Sequence, residues 1–115
     1  MIRDADTKQV LVRSHRVLTR WYQHAFGLMF RKRLVDTGWV FVFPRVRAWD
    51  LTNVFVFQAI DAAWLDADKR VLQVRTIKPF ALRVPGCAGT RFVVELPAGA
   101  ARAADVSVGS RLEWV

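Results

Sequence analysis

The segment Trp39-Val40-Phe41-Val42-Phe43 is apolar at every position and contains only aromatic and β-branched residues. A strand with one wet face alternates apolar and polar side chains. An unbroken run of this kind belongs to a strand covered on both faces. Val54-Phe55-Val56-Phe57 has the same character. Both runs are far shorter than the roughly 18 residues that a membrane-crossing helix needs. A chain built on them has to fold in layers with sheet at the centre. The two runs are expected to pair and bring Phe41 and Phe43 near Phe55 and Phe57. Pro44 is expected to stop the first run, because proline cannot donate to a strand ladder. The link from Pro44 to Asp50 holds Arg45, Arg47 and Trp49.

The remaining segments read as short strands with sparse helix. Gln9 to Val12 and Arg16 to Leu18 are strand-like, split at Ser14-His15. Thr19 can cap a short helix over Arg20 to Phe26, closed by Gly27. Ile60 to Leu65 and Val71 to Ile77 flank Asp66-Ala67-Asp68-Lys69, the pattern of a β-hairpin. Turn chemistry accounts for the two Asp residues, since no further ligands follow at the spacing of a calcium loop. Lys78-Pro79-Phe80 and Pro85-Gly86 bound a loop, and Arg91 to Leu96 is another strand. Pro97 is expected to open a short Ala-rich helical turn through Ala104. Val108-Gly109-Ser110 then turns into a closing strand, Arg111 to Val115. The pattern predicts an all-β fold, mostly β with one or two short helices, in a sandwich or partly closed barrel of about seven or more strands. The 115 residues read as one domain, with an ordered core from about residue 8 onward.

Composition narrows the function. The net charge is +8, and it is unevenly placed. Residues 1–47 carry ten Lys/Arg against three Asp, an excess of +7, whereas residues 48–115 carry eight Lys/Arg against seven Asp/Glu. Arginines outnumber lysines fourteen to four, and the planar guanidinium suits bidentate binding of phosphate or carboxylate. The N-terminus has no apolar stretch of signal-peptide type, so a cytoplasmic protein is the default. The single cysteine, Cys87, excludes an internal disulfide and reads as an idle or buried thiol at a turn.

Gly27-Leu28-Met29-Phe30-Arg31 is followed in order by Leu34, Gly38 to Phe43, Ile60-Asp61, Trp64-Leu65-Asp66, Val71, Lys78-Pro79, Val94-Glu95-Leu96-Pro97-Ala98-Gly99 and Val108-Gly109. This series, from about Val10 to Leu112, resembles domain-of-unknown-function family 192, whose members are small bacterial and archaeal proteins. The resemblance implies a compact all-β sandwich with a short helix near the Gly-Leu-Met-Phe-Arg segment, and no particular activity. The sequence departs from the family where members carry Trp-Met-Lys-Asn-Thr ahead of the Ile-Asp pair. Those positions are Thr52, Asn53, Val54, Phe55 and Val56, and a function housed in that motif would be lost or altered.

No constellation of catalytic type stands out. His15 and His24 have no Cys or carboxylate at metal-ligand spacing, so neither a metal nor a cofactor is expected. Asp61 and Asp66 lie five positions apart and would point to opposite faces of a regular strand, which argues against a carboxylate pair. Asp61 is expected to serve a local hydrogen bond. Gly27-Leu28-Met29-Phe30 is expected to be a structural corner, with Gly27 ending a short helix. What remains is basic and aromatic. Arg31, Lys32 and Arg33 form a cluster, and Arg45 and Arg47 lead to Trp49. Basic groups beside an exposed aromatic can bind phosphates and stack a base. The plainer alternative has arginine stems covering apolar surface while Trp49 packs inward. The expected function is a small non-enzymatic binding domain for an anionic partner such as nucleic acid. The alternatives are a small-molecule-binding or hydrolytic protein with a pocket between sheets, and a structural homo-oligomer.

Overall fold

The computed structural model describes residues 1–19, 35–49, 58–80 and 84–115. The elements are β1 (Ile2–Asp4), β2 (Val10–Val12), β3 (Ser14–Leu18), β4 (Thr37–Arg47), β5 (Ile60–Leu65), β6 (Val71–Ile77), β7 (Thr90–Pro97), α1 (Ala100–Ala103) and β8 (Leu112–Trp114). They form a three-stranded sheet in the order β2-β1-β8 and a five-stranded sheet in the order β3-β4-β7-β5-β6. The fold is all-β and sandwich-like, and the sheets do not close into a barrel. Among the described residues, every strand pairing is antiparallel except β3 with β4. The helix expected over residues 20–26, the Gly27 corner and the strand expected at residues 54–57 lie outside the described residues. Over Trp39 to Phe41, β4 has both edges taken, by β3 and β7.

The five-stranded sheet is covered on both sides, as the apolar run in β4 requires. Toward the small sheet, Val40, Ala63, Leu65, Val94 and Leu96 pack on Ile2, Val12 and Leu112. On the other face, Phe41, Phe43, Ile60, Ala62, Trp64 and Val93 form a second cluster, joined by Trp49 and Cys87. Gly38 stands where the two sheets approach: a Cβ there would lie 2.6 Å from Ile2 Cδ1.

The hairpin β5–β6 is built as the sequence suggests. Asp66 Oδ1 accepts from the Asp68 and Arg70 amides at 2.9 and 3.0 Å, and Lys69 takes the left-handed conformation, φ 66°. Two expectations about proline are corrected. Pro44 does not end β4, which runs on to Arg47. The β4–β7 register shifts between Val42 and Arg47, so Pro44 sits where the ladder is already interrupted and a missing N–H costs little. Pro97 does not open the helix; it is the last residue of β7, and α1 begins at Ala100 after Gly99 at φ 91°. The hydrogen bonding of this corner comes from a distant strand. Asp61 on β5, 3% exposed, accepts from the Gly99 and Ala101 amides through Oδ2 at 3.0 and 3.2 Å, and from the Thr76 hydroxyl through Oδ1 at 2.8 Å.

Candidate basic site at the end of strand β4

Side chains alternate along a strand, so Trp39, Phe41 and Phe43 share one face of β4, the face turned away from the small sheet. Beyond the register shift, β4 carries Arg45 and Arg47 out into solvent. The chain then turns so that Trp49 comes back onto Phe43, with ring centroids 4.4 Å apart and planes 10° from parallel. Three contacts fix that return. Trp49 Nε1 donates to the Arg45 carbonyl at 2.9 Å, and Trp49 O accepts from Trp64 Nε1 at 3.1 Å. Gly86 packs so tightly on this backbone that a Cβ would come 2.0 Å from Trp49 O.

The Arg47 guanidinium lies over the Trp49 ring at 4.4 Å. The indole therefore carries a phenyl group and a guanidinium, and a planar ligand arriving from solvent meets Arg47 and not bare tryptophan. Arg91, on β7 beside Phe43, donates from Nη1 to the Phe43 carbonyl and adds a further positive charge to the same end of the sheet. Trp49 is half-buried, in keeping with a ring packed inward and with arginines at its border.

Of the residues singled out from the sequence, Arg45, Arg47 and Trp49 are thus brought together, whereas Arg31, Lys32 and Arg33 lie outside the described residues. Ion pairing separates this end of the molecule from the rest. Among the described residues, carboxylates pair with Arg3, Lys8, Arg13 and Arg111: Arg3 and Lys8 share Glu113, Arg13 holds Asp36, and Arg111 reaches Asp6. None pairs with Arg45 or Arg47.

A second arginine–tryptophan pair was not anticipated. Arg16 on β3 is the register partner of Trp39 on β4, and its Cζ stands 5.6 Å from the indole centroid. The same cross-strand row continues through Glu95 on β7, fully buried, to Ala62 on β5 and Arg75 on β6. A charged residue inside Phe92-Val93-Val94-Glu95-Leu96 is the one local signal that marked this row. The Arg16–Trp39 contact itself depends on a parallel pairing between segments 23 residues apart in sequence, which periodicity does not reveal.

Cys87 is half-buried at its turn, its Sγ 3.5 Å from Thr90 Oγ1. No group of three or more His, Cys, Asp or Glu that could hold a metal occurs among the described residues. No described helix is long and apolar enough to cross a membrane.

Taken together, these features define a small two-sheet β-sandwich whose longest strand, β4, ends in exposed arginines. The chain belongs to domain-of-unknown-function family 192, described as "Uncharacterized ACR", whose pattern matches residues 2–114. It is similar to a UPF0127 protein of Pyrococcus abyssi, 30% identical over 101 residues, covering 86% of this chain and 84% of that one. It is also similar to a UPF0127 protein of Pyrococcus furiosus, 37% identical over 91 residues, covering 76% and 75% of the two chains. A crystal structure of a protein of unknown function from Novosphingobium aromaticivorans shares the fold, with a TM-score of 0.80 at 24% identity over 90% of this chain and 75% of that one. These relatives support the fold and attach no activity to it.

Proposed function

We propose that this chain is a non-enzymatic binding domain for a polyanion, nucleic acid in the first instance, held by Arg45 and Arg47 at the end of β4. One observation carries the proposal: both guanidinium groups are exposed and unpaired with any carboxylate among the described residues. The small sheet, by contrast, commits its cations to Glu113 and Asp6. Arginine side chains without a carboxylate partner can neutralise phosphates and displace the cations condensed on a nucleic acid. The Arg47 guanidinium lies over the Trp49 ring at 4.4 Å, and a planar guanidinium suits a phosphate fork. Arg31, Lys32 and Arg33 are proposed to extend the same surface. The space between the sheets is filled by apolar side chains, and the oxygens of buried Asp61 are engaged by backbone and hydroxyl donors. That packing favours a surface ligand over a reaction in an inter-sheet pocket. The sequence carries no base-reading motif, so sequence preference is not expected. A cytoplasmic setting, where nucleic acid is available, fits this reading.

Fluorescence anisotropy with single-stranded and duplex oligonucleotides at about 50 and 200 mM salt tests the proposal. Binding is expected at the lower salt, falling steeply at the higher, and Arg45→Glu with Arg47→Glu should abolish it. Absent or only millimolar binding at the lower salt would remove nucleic acid as the partner. Binding that survives the charge reversal would place the site elsewhere.

A further inference from the structure

We infer that Arg91 is the positioning residue of the arginine site: bonded to the Phe43 carbonyl, it props the bulge of β4 that presents Arg45 and Arg47. The inference rests on the polyanion reading above and adds the device that aims its two side chains. The β4–β7 ladder pairs Val42 with Phe92 and next pairs Arg47 with Thr90. Between those pairs β4 supplies four residues, Phe43 to Val46, and β7 supplies Arg91 alone. Extra residues on one strand bend it and re-aim its side chains, and such bulges gather beside active sites. Pro44, which brings no N–H to the ladder, lies inside the bulge. From Pro44 to Arg47 every residue is exposed. The bulge thus turns the end of a core strand into a presenting arm.

Arg91 is the β7 residue opposite this bulge, and its Nη1 donates to the carbonyl of Phe43, the first residue of the bulge. Its Cζ stands 5.4 Å from the Phe92 ring centroid, and the residue is half-buried. Arg45 and Arg47 are exposed instead. The roles divide accordingly: the arginine with an N–H committed to backbone holds the arm, and the two that stand clear of the body meet the phosphates. The carbonyl held by Arg91 and the ring that carries Trp49 belong to one residue, Phe43. A lysine in place of Arg91 would keep the charge and lose the planar head with its several fixed donors.

The experiment is a double-mutant cycle read by fluorescence anisotropy with a duplex oligonucleotide at about 50 mM salt. Arg91→Lys is made in the parent and in a variant carrying Arg45→Gln and Arg47→Gln. Positioning predicts that it weakens binding about fivefold in the parent and leaves the residual affinity of the Gln variant unchanged. Urea unfolding of each protein is measured alongside. Arg91→Gln is the second variant, used if the lysine form does not fold, and its loss should likewise be severalfold larger in the parent. Equal losses in the two backgrounds would make Arg91 an independent phosphate contact and overturn the inference, while the polyanion reading stands. A folded Arg91→Lys protein with the parent's affinity would also overturn it, whatever its urea midpoint, because Arg91 would then support the fold alone. No binding of the duplex by the parent would remove the polyanion reading and the inference with it.

Discussion

Asp61 joins three parts of the fold that are distant in sequence. Its carboxylate holds the Gly99 and Ala101 amides at the corner into α1, together with the Thr76 hydroxyl on β6. A buried donor left without an acceptor loses its water and gains nothing in return. Asp61→Ala strands two amides and a hydroxyl, and should cost about 2–4 kcal/mol in urea unfolding. Asp61→Asn keeps one carbonyl acceptor and should cost clearly less. Equal losses for the two would show that volume, and not hydrogen bonding, sets the cost. Arg47 and Trp49 are the proposed functional counterpart at this scale. Exposed guanidinium and half-buried indole are both used, since the ring packs on Phe43 and the arginine on the ring.

At the level of elements, β4 supplies core and candidate site from one strand. Trp39 to Phe43 lie in the two clusters or against them, and the register shift after Val42 releases the arginines into solvent. The turn back to Trp49 depends on Gly86, which faces the Trp49 backbone with no room for a Cβ. Gly86→Ala should therefore destabilise by about 1–3 kcal/mol or more, because the obstructing atoms are backbone and cannot rotate away. It should also shift tryptophan fluorescence as Trp49 leaves Phe43. An unchanged spectrum and melting temperature would contradict the proposed clamp. Strands with a strong local signature were legible from the sequence. The apolar run of β4 and the Asp66 hairpin need only alternation and turn chemistry. The prolines were misleading because their cost depends on the partner strand: Pro44 falls in a gap of the ladder, and Pro97 closes β7 ahead of α1. Arg45, Arg47 and Trp49 could be named because they are neighbours along the chain. Arg16 could not, since only the parallel β3–β4 pairing lays it on Trp39.

Across the whole molecule, the first and last strands are bound together and the charges are divided between two territories. β1 pairs with β8, and the N-terminal ammonium lies 2.6 Å from the Val115 carbonyl and 3.0 Å from His15 Nδ1. Burial, and then the nearby ammonium, hold the imidazole below its ordinary value of 6.5. The unfolded chain thus takes up this proton more readily than the folded one. The stabilising contribution is complete above pH 6.5 and is lost as pH falls through the lowered folded value. Melting temperature should therefore drop on acidification below pH 6.5, and His15→Gln should flatten that part of the profile. A profile identical to the parent's would show that His15 is not the group responsible. Glu113, held below its usual range by Arg3 and Lys8, belongs to the small sheet. Its contribution is present above the ordinary glutamate value of 4.5 and fades only as pH falls below it. The small sheet thus neutralises its own charge, while the end of β4 leaves Arg45 and Arg47 without carboxylate partners among the described residues. The salt dependence of duplex binding measures that division most directly. Log K should fall linearly with log salt. The slope should become shallower by about two when Arg45 and Arg47 are both changed to Gln, near 0.9 for each phosphate no longer neutralised. A double variant with the parent's slope, or a parent whose binding ignores salt, would contradict it.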